Sequence, residues 1–485
     1  MARGRPVLLS DLHRYAGRMI TWMNLILVLF FAATTFQDSI FHASPMDLSV
    51  VEIATMGCLV AWAVLTPHPG RQVREIARRP AAILLLLWAV VATVLWVIAH
   101  DWGYDLNEMR WLWLTLGAFI LLTTAVESGW GRAVVLFVGI TALAALVADY
   151  QGLTGAFIAP FARIVPKDIL LSSTGMISVT PAAGFFRHPN AFGGQVFWPL
   201  LICVGLALKR QYRWPALAGA AFFAFSLYLS YYRTLVVGLA LACAILAMIK
   251  LELRPKLFAS VTIGLSLLGM IGSEVLVELS QGVFLGNLQT RGGYWVDAAH
   301  LIQSQPSIIL FGSGYAPSVA LASSQARSDP HNMYLYLLMH FGVSGLVCFA
   351  LLIALIVAVG WQAYQTGILR REPVLGAMWA GFIAWFVTGT LDSRLTTAEW
   401  LMLFVTILAL FLVGLSGQRH RDLEVAPNRS FPSPAEVEIK ARISGDRVEG
   451  AGVPSQEAGP KNSIGTQRAK KGVGDLLGQR LVEGG

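Results

Sequence analysis

Apolar runs of about twenty residues recur along most of this chain, each long enough to cross a hydrocarbon core of roughly 30 Å. They constrain the fold more than any other feature. A backbone inside lipid must satisfy its own N–H and C=O groups, and only helices and closed barrels do so. The runs are continuous rather than short and alternating, which argues against a barrel. Composition agrees: 56% of residues are apolar, 13% are charged and the mean hydropathy is +0.62, whereas a soluble domain carries about 25% charged residues. The expected fold class is an all-α polytopic membrane protein.

About twelve spans are expected, near residues 18–36, 49–66, 80–99, 111–127, 130–150, 190–208, 214–231, 233–249, 257–275, 341–360, 374–391 and 398–416. The first reads as a retained helix, because no small-residue cleavage site follows it. Orientation follows from Lys and Arg, which collect in cytoplasmic loops. The N-terminal segment and alternate loops hold seventeen of them, including Arg71, Arg74, Arg78, Arg79, Lys209, Arg210, Arg370 and Arg371, against eight in the other loops. Both termini are therefore expected on the cytoplasmic side. The net charge of +8 serves orientation, and nucleic acid is not an expected partner. Cys58, Cys203, Cys243 and Cys348 all fall inside apolar runs with no two in one loop, so neither a disulfide nor a zinc site is expected.

The transmembrane body is expected over 1–417, with 418–485 a Pro-, Gly-, Ser- and charge-rich cytoplasmic tail lacking any apolar period and hence disordered. Two outer segments are long, 151–189 and 276–331; loops of such length usually carry function or are disordered. The second precedes the tenth span and holds a stretch with helical spacing near 291–303, with Tyr294, Ala298 and Leu301 on one face. Neither a P-loop nor a Gly-rich dinucleotide fingerprint is present, and no cofactor or metal is expected.

Four basic side chains lie on the outer side, Arg187, Arg233 and His331 at span ends and Arg291 within the second long loop. Arg187 lies in GFFRHPNAFGG, where Pro189 sets an extended entry to the helix and Asn190 is placed to cap it. Either Arg187 is an interfacial arginine beside a capped helix, or it faces a phosphate near the free N–H groups of the helix start. Arg233 follows the aromatic run YLSYY with almost no loop around it. It either snorkels to the interface or turns into a water-filled cavity, where its fork suits bidentate phosphate binding. Arg291 lies in TRGGYWVDAAHLIQSQP with Trp295, Asp297 and His300, a segment that a solvated loop helix explains equally well. His331 follows Asp329 and Pro330 and precedes Asn332. A neutral imidazole near pKa 6.5 is a general base at neutral pH; a capping or interfacial histidine is the other reading. His340, inside the apolar run, reads as a packed histidine. Asp392, Arg394 and Glu399 in the last outer loop read by default as surface ion pairs, although a carboxylate there is also able to meet the site across the bundle.

Taken in order, these motifs resemble the O-antigen ligase and polymerase family of bacterial envelope proteins over roughly 180–360. A Gly-rich HPN segment enters a span, and an arginine opens a span after an aromatic stretch. A long outer loop follows with Arg291, three residues, then Trp295, and afterwards Gly312-x-Gly-Tyr315. Last comes His331, ten residues, then Gly342. One departure is Val237, where the family often has Leu four residues after its span arginine; Leu235 lies nearby.

The resemblance implies an undecaprenyl-diphosphate-linked glycan donor and a glycan or lipid acceptor, used at the outer face of the bacterial inner membrane. It implies inverting, metal-independent transfer with the lipid diphosphate leaving. His331, Arg233 and Arg187 are then the catalytic candidates, and Arg291, Trp295, Asn190 and Asn332 the substrate-binding ones. Membrane lipids and other polysaccharide assembly proteins are the remaining expected partners. Polymerisation of repeat units into exopolysaccharide, capsule or O-antigen is the favoured reading. Ligation of a finished chain to lipid A core or protein is the alternative, and a flippase for lipid-linked sugars is the reading from another class. The candidate charges gather on one side, whereas transporters often show repeated halves and midplane charges.

Overall fold

The computed structural model describes residues 6–35, 39–43, 46–98, 106–155, 167–172, 175–179, 181–186, 188–265, 267, 284–312, 332–392 and 398–425. Two units divide the chain, Met1–Leu423 and Glu424–Gly485, and the described helices belong to the first except for the last two residues of the final helix.

The helices in order are α1 (Pro6–Thr35), α2 (Val50–Leu65), α3 (Pro69–Ala77), α4 (Pro80–Ile98), α5 (Leu106–Glu127), α6 (Trp130–Thr154), α7 (Pro189–Ala207), α8 (Arg213–Leu229), α9 (Arg233–Lys250), α10 (Pro255–Leu265), α11 (Phe284–Ser304), α12 (Ser307–Phe311), α13 (Met333–Gln365), α14 (Ile368–Arg371), α15 (Pro373–Thr388) and α16 (Ala398–Val425). A helix meets each of the twelve apolar runs, at least in part. Among the described residues, five of them, in α5, α6, α7, α13 and α16, are long and apolar enough by themselves to cross a membrane, and α2 with α3, bent by 119°, makes a sixth if the pair is taken as one span. The final helix continues to Val425, past the expected start of the tail at 418; residues 426–485 lie outside the described residues.

Helices dominate as expected. Two small antiparallel hairpins, Ser39–Ala43 with Met46–Ser49 and Lys167–Ser172 with Gly175–Val179, interrupt them. Each is a few residues long in an interhelical loop, so a search for twenty-residue runs passes over it.

The core centres on α7, α15 and α16, whose side chains are buried almost all round, as expected of helices that are apolar on every face. Small residues let their backbones approach. At Gly205 a Cβ would lie 2.9 Å from Val374 Cα, and at Gly381 one would lie 2.7 Å from the Trp198 ring.

Helix α13 departs from a simple span. Its 33 residues extend about 50 Å, well beyond the hydrocarbon thickness of roughly 30 Å. It is broken at Gly342, with φ 64° and ψ −169°, a conformation essentially confined to glycine. Met333–Phe341 is thus a separate helical piece, and the expected span start at 341 coincides with the break. Similarly, the helix expected near 291–303 is present but begins earlier, at Phe284.

Candidate functional site

Described residues next to three of the candidate side chains meet around the beginnings of α7, α9 and α13 and the end of α15. Asn332 caps α13: its Oδ1 accepts the N–H groups of Tyr334 and Leu335, each at 3.0 Å, satisfying donors that have no partner within the helix. Two residues on, the Tyr334 hydroxyl donates to the Phe386 carbonyl at 2.8 Å. Met333 is fully buried against Gly389, where a Cβ would lie 2.7 Å from its Cε. The first turn of α13 is thereby seated on the end of α15.

From α9, the Tyr232 hydroxyl donates to the Asp392 carboxylate, and both residues are buried, with 3% and 6% exposure. The default expectation of a surface position for Asp392 is therefore corrected: the buried carboxylate takes a hydrogen bond from the residue before Arg233. Charge-assisted bonds of this kind are about twice as strong as neutral ones. The side chains of Arg394 and Glu399 lie outside the described residues. On the other flank of Tyr232 stands α7. A Cβ at Gly193 would lie 2.8 Å from both Ser230 Oγ and Tyr232 Cβ, so glycine permits this crossing.

A second correction concerns the cap of α7. Asn190 was expected to cap; His188 does so, its Nδ1 accepting the Asn190 N–H at 3.1 Å. The reason is Pro189. It takes the first helical position, and the residue before a proline is driven to extended backbone, here φ −144° and ψ 143°. Asn190 is thus inside the first turn.

Trp295 is half-buried on α11, and Ala298 and Leu301 beyond it are buried. The latter two form a small separate core with Ile308 of α12 and Met339 of α13. Arg291 is four residues before Trp295, on the same face of α11; its side chain lies outside the described residues. His340 is a packed histidine as expected, 1% exposed and stacked on Tyr336 with ring centroids 4.0 Å apart.

The two motif glycines that precede and follow His331 meet. Gly312 has φ 70° and ψ −178°, the same glycine-only region as Gly342. A Cβ on Gly312 would come within 2.7 Å of Phe341 N, and one on Gly342 within 2.7 Å of Gly312 N. This backbone crossing joins the end of α12 to the break in α13. It gives the spacing from His331 to Gly342 a physical content: one capped helical piece, then a crossing.

Of the catalytic candidates, Arg187 and His331 lie outside the described residues, as does the side chain of Arg233. What the geometry brings together is their described neighbours: the strand of chain into α7, Tyr232 and Asn332. Sequence reasoning missed Tyr232, which nothing distinguishes from Tyr228 and Tyr231 in the same aromatic run. It also passed over Asp149, a carboxylate within an apolar run, although such a residue is by default a sign of function.

These helices define a multi-pass membrane protein. The O-antigen ligase family model matches residues 218–350, from within α8 to the middle of α13, so this part of the chain is similar to the O-antigen ligase family. The matched region contains Arg233, Arg291, His331 and both glycines of the crossing; Arg187 and Asp392 fall outside it. No curated protein matches the chain. That similarity supports, in general terms, a glycosyltransferase-like enzyme acting on a lipid-linked glycan and an acceptor.

Proposed function

We propose that this protein is a membrane glycan polymerase. It joins undecaprenyl-diphosphate-linked oligosaccharide units at the outer face of the inner membrane, in a body of twelve spans with both termini cytoplasmic. The acceptor hydroxyl oxygen attacks the anomeric carbon of the donor glycan, and the bond from that carbon to the diphosphate oxygen breaks. The electron pair leaves with the lipid diphosphate. His331 takes the hydroxyl proton as general base, and Arg187 and Arg233 stabilise the charge that develops on the diphosphate. One displacement inverts the anomeric centre. Arg291 and Trp295 contact the glycan from α11, with Asn190 and Asn332 at the helix starts.

The observation that carries this reading is the meeting of α7, α9, α13 and α15 around the Tyr232–Asp392 hydrogen bond. It supports a common location for segments that are far apart in sequence, each adjoining a candidate. A second reading, transfer of a finished chain to lipid A core or protein, is favoured by the description of the matching family as a ligase.

The test is glycan size and attachment in a strain lacking the protein, re-supplied with wild type or His331→Ala. Single repeat units in place of long chains, rescued by wild type alone, are expected for a polymerase. Long chains stranded on the carrier lipid identify a ligase. Glycan lipid trapped on the cytoplasmic face, rescued equally by both versions, identifies a transporter and overturns the catalytic reading.

A further inference from the structure

Two buried polar side chains near the end of α6 have no part in the chemistry above. Gln151 is 2% exposed and Asp149 5%, within a helix apolar enough to span a membrane. Gln151 Oε1 accepts the N–H of Gly184 at 2.7 Å. Asp149 Oδ2 accepts the hydroxyl of Ser226, on α8, at 2.7 Å. A third bond joins the partners, from the Ala182 N–H to the Leu229 carbonyl at 2.9 Å. Helix α6, the segment 181–186 and the end of α8 thus form a closed triangle with one hydrogen bond on each side.

Segment 181–186 lies flush on α6. Gly184 has φ 57°, and a Cβ there would meet Ala148 Cα at 3.1 Å; one at Gly152 would meet Ala182 Cβ at 3.0 Å. The segment ends at Phe186, 1% exposed and packed on Phe192 of α7, and the next residue is Arg187. On the opposite side of the triangle, Leu229 ends α8. Ser230 then accepts the N–H of Tyr232 at 3.2 Å, and the next residue is Arg233. The triangle therefore holds both chain segments that open onto the two arginines.

Packing alone does not call for these residue types. Gln151 Nε2 and Asp149 Oδ1 are buried and have no hydrogen-bond partner among the described residues, and a buried polar atom left so costs about 1–3 kcal/mol. An apolar residue would lose the directed bond, and at 151 it would also leave the buried Gly184 N–H without its acceptor. Direction is what the polar groups supply.

We infer that Gln151 and Asp149 are positioning residues, which set the separation of the Arg187 and Arg233 segments so that both guanidinium groups meet one lipid diphosphate. This rests on the proposed role of the arginines. The experiment is turnover of lipid-linked repeat units by purified protein in lipid nanodiscs. Gln151→Leu and Asp149→Leu are expected to lower kcat by about 10–100-fold, the scale of a small misplacement in an active site, while the donor KM changes less than about threefold. Gln151→Glu and Asp149→Asn keep an acceptor oxygen and are expected to restore most of the rate. Should Asp149→Leu not accumulate in the membrane, Ser226→Ala removes the same bond from the other side. In Arg187→Ala protein, Gln151→Leu is expected to add no further loss. An equal loss on both backgrounds, or no rescue by the acceptor-keeping variants, would overturn the positioning role and leave the arginines untouched. Wild-type turnover by Arg187→Ala alone would instead overturn the arginine reading, and this inference with it.

Discussion

Helices α9 and α15 are held differently at their two ends. Where α9 finishes and α15 begins, charges are matched in pairs: Arg370 with Glu252, Lys209 with Glu372 and Arg371 with Asp422. Lys250 adds a bond to the Arg370 carbonyl at 3.2 Å. Where α9 begins and α15 finishes, the contacts are a buried tyrosine–carboxylate bond, a tyrosine on a backbone carbonyl, and glycines at Gly193 and Gly389 with no space for a side chain. Lys209–Glu372 is half-buried, and the other two pairs are exposed; exposed ion pairs tolerate adjustment and contribute little each. Buried hydrogen bonds and backbone crossings fix position. The first end is thus built as a tether and the second as a frame, and a frame is what aligned transfer chemistry requires.

The contrast breaks or sharpens first at His331. His331→Ala is expected to lower turnover by about 10²–10⁴-fold with normal protein in the membrane. Near-normal turnover would leave the frame without its base. Next in size is Arg233. Arg233→Lys keeps the charge and loses the fork, and is expected to remain strongly impaired if both diphosphate oxygens are engaged; full activity with lysine would mean that a generic cation suffices.

Gly342→Ala follows. It combines a glycine-only conformation, a strain of order 1–3 kcal/mol, with a collision at the crossing, and is expected to reduce both thermal stability and turnover. The control is Gly367→Ala. Gly367 also has positive φ, 73°, but a Cβ there meets nothing within 4 Å, so stability is expected to fall slightly while turnover holds. Similar turnover losses in the two variants would remove any special role for the crossing.

Much of the helical layout was legible because lipid imposes one strong rule, and the apolar runs obey it. The break at Gly342 was legible as the edge of a run. Its reason was not, since the partner glycine is thirty residues earlier and only the fold brings them together. At the α7 cap the order of the residues misled: Asn190 has the better capping side chain, but Pro189 takes the first helical position and leaves the cap to His188. Asp392 was misread for a similar reason. Its sequence neighbours Arg394 and Glu399 suggest a surface cluster, whereas its partner Tyr232 comes from another helix. Local pattern reports which residues can enter a membrane; pairings across the bundle are set by packing.

The smallest effect is expected at the tether. Arg371 makes two bonds to Asp422, at 3.1 and 2.7 Å, with about half of each side chain exposed. Solvent screens such a pair, and its removal costs on the order of 0–1 kcal/mol. Arg371→Ala is therefore expected to lower the melting temperature in nanodiscs by a few degrees at most and to leave kcat and glycan length as in wild type. Raising the salt concentration should shrink even that difference, because exposed pairs weaken as the screening length shortens. A clear change in glycan length at normal protein level would contradict the division of roles, since it would mean that an exposed ion pair at the tether end communicates with the frame. Exchanging the two charges, with Arg371→Asp and Asp422→Arg together, then separates the possibilities: recovery of wild-type length assigns the effect to the pair, and continued shortening assigns it to Arg371 alone.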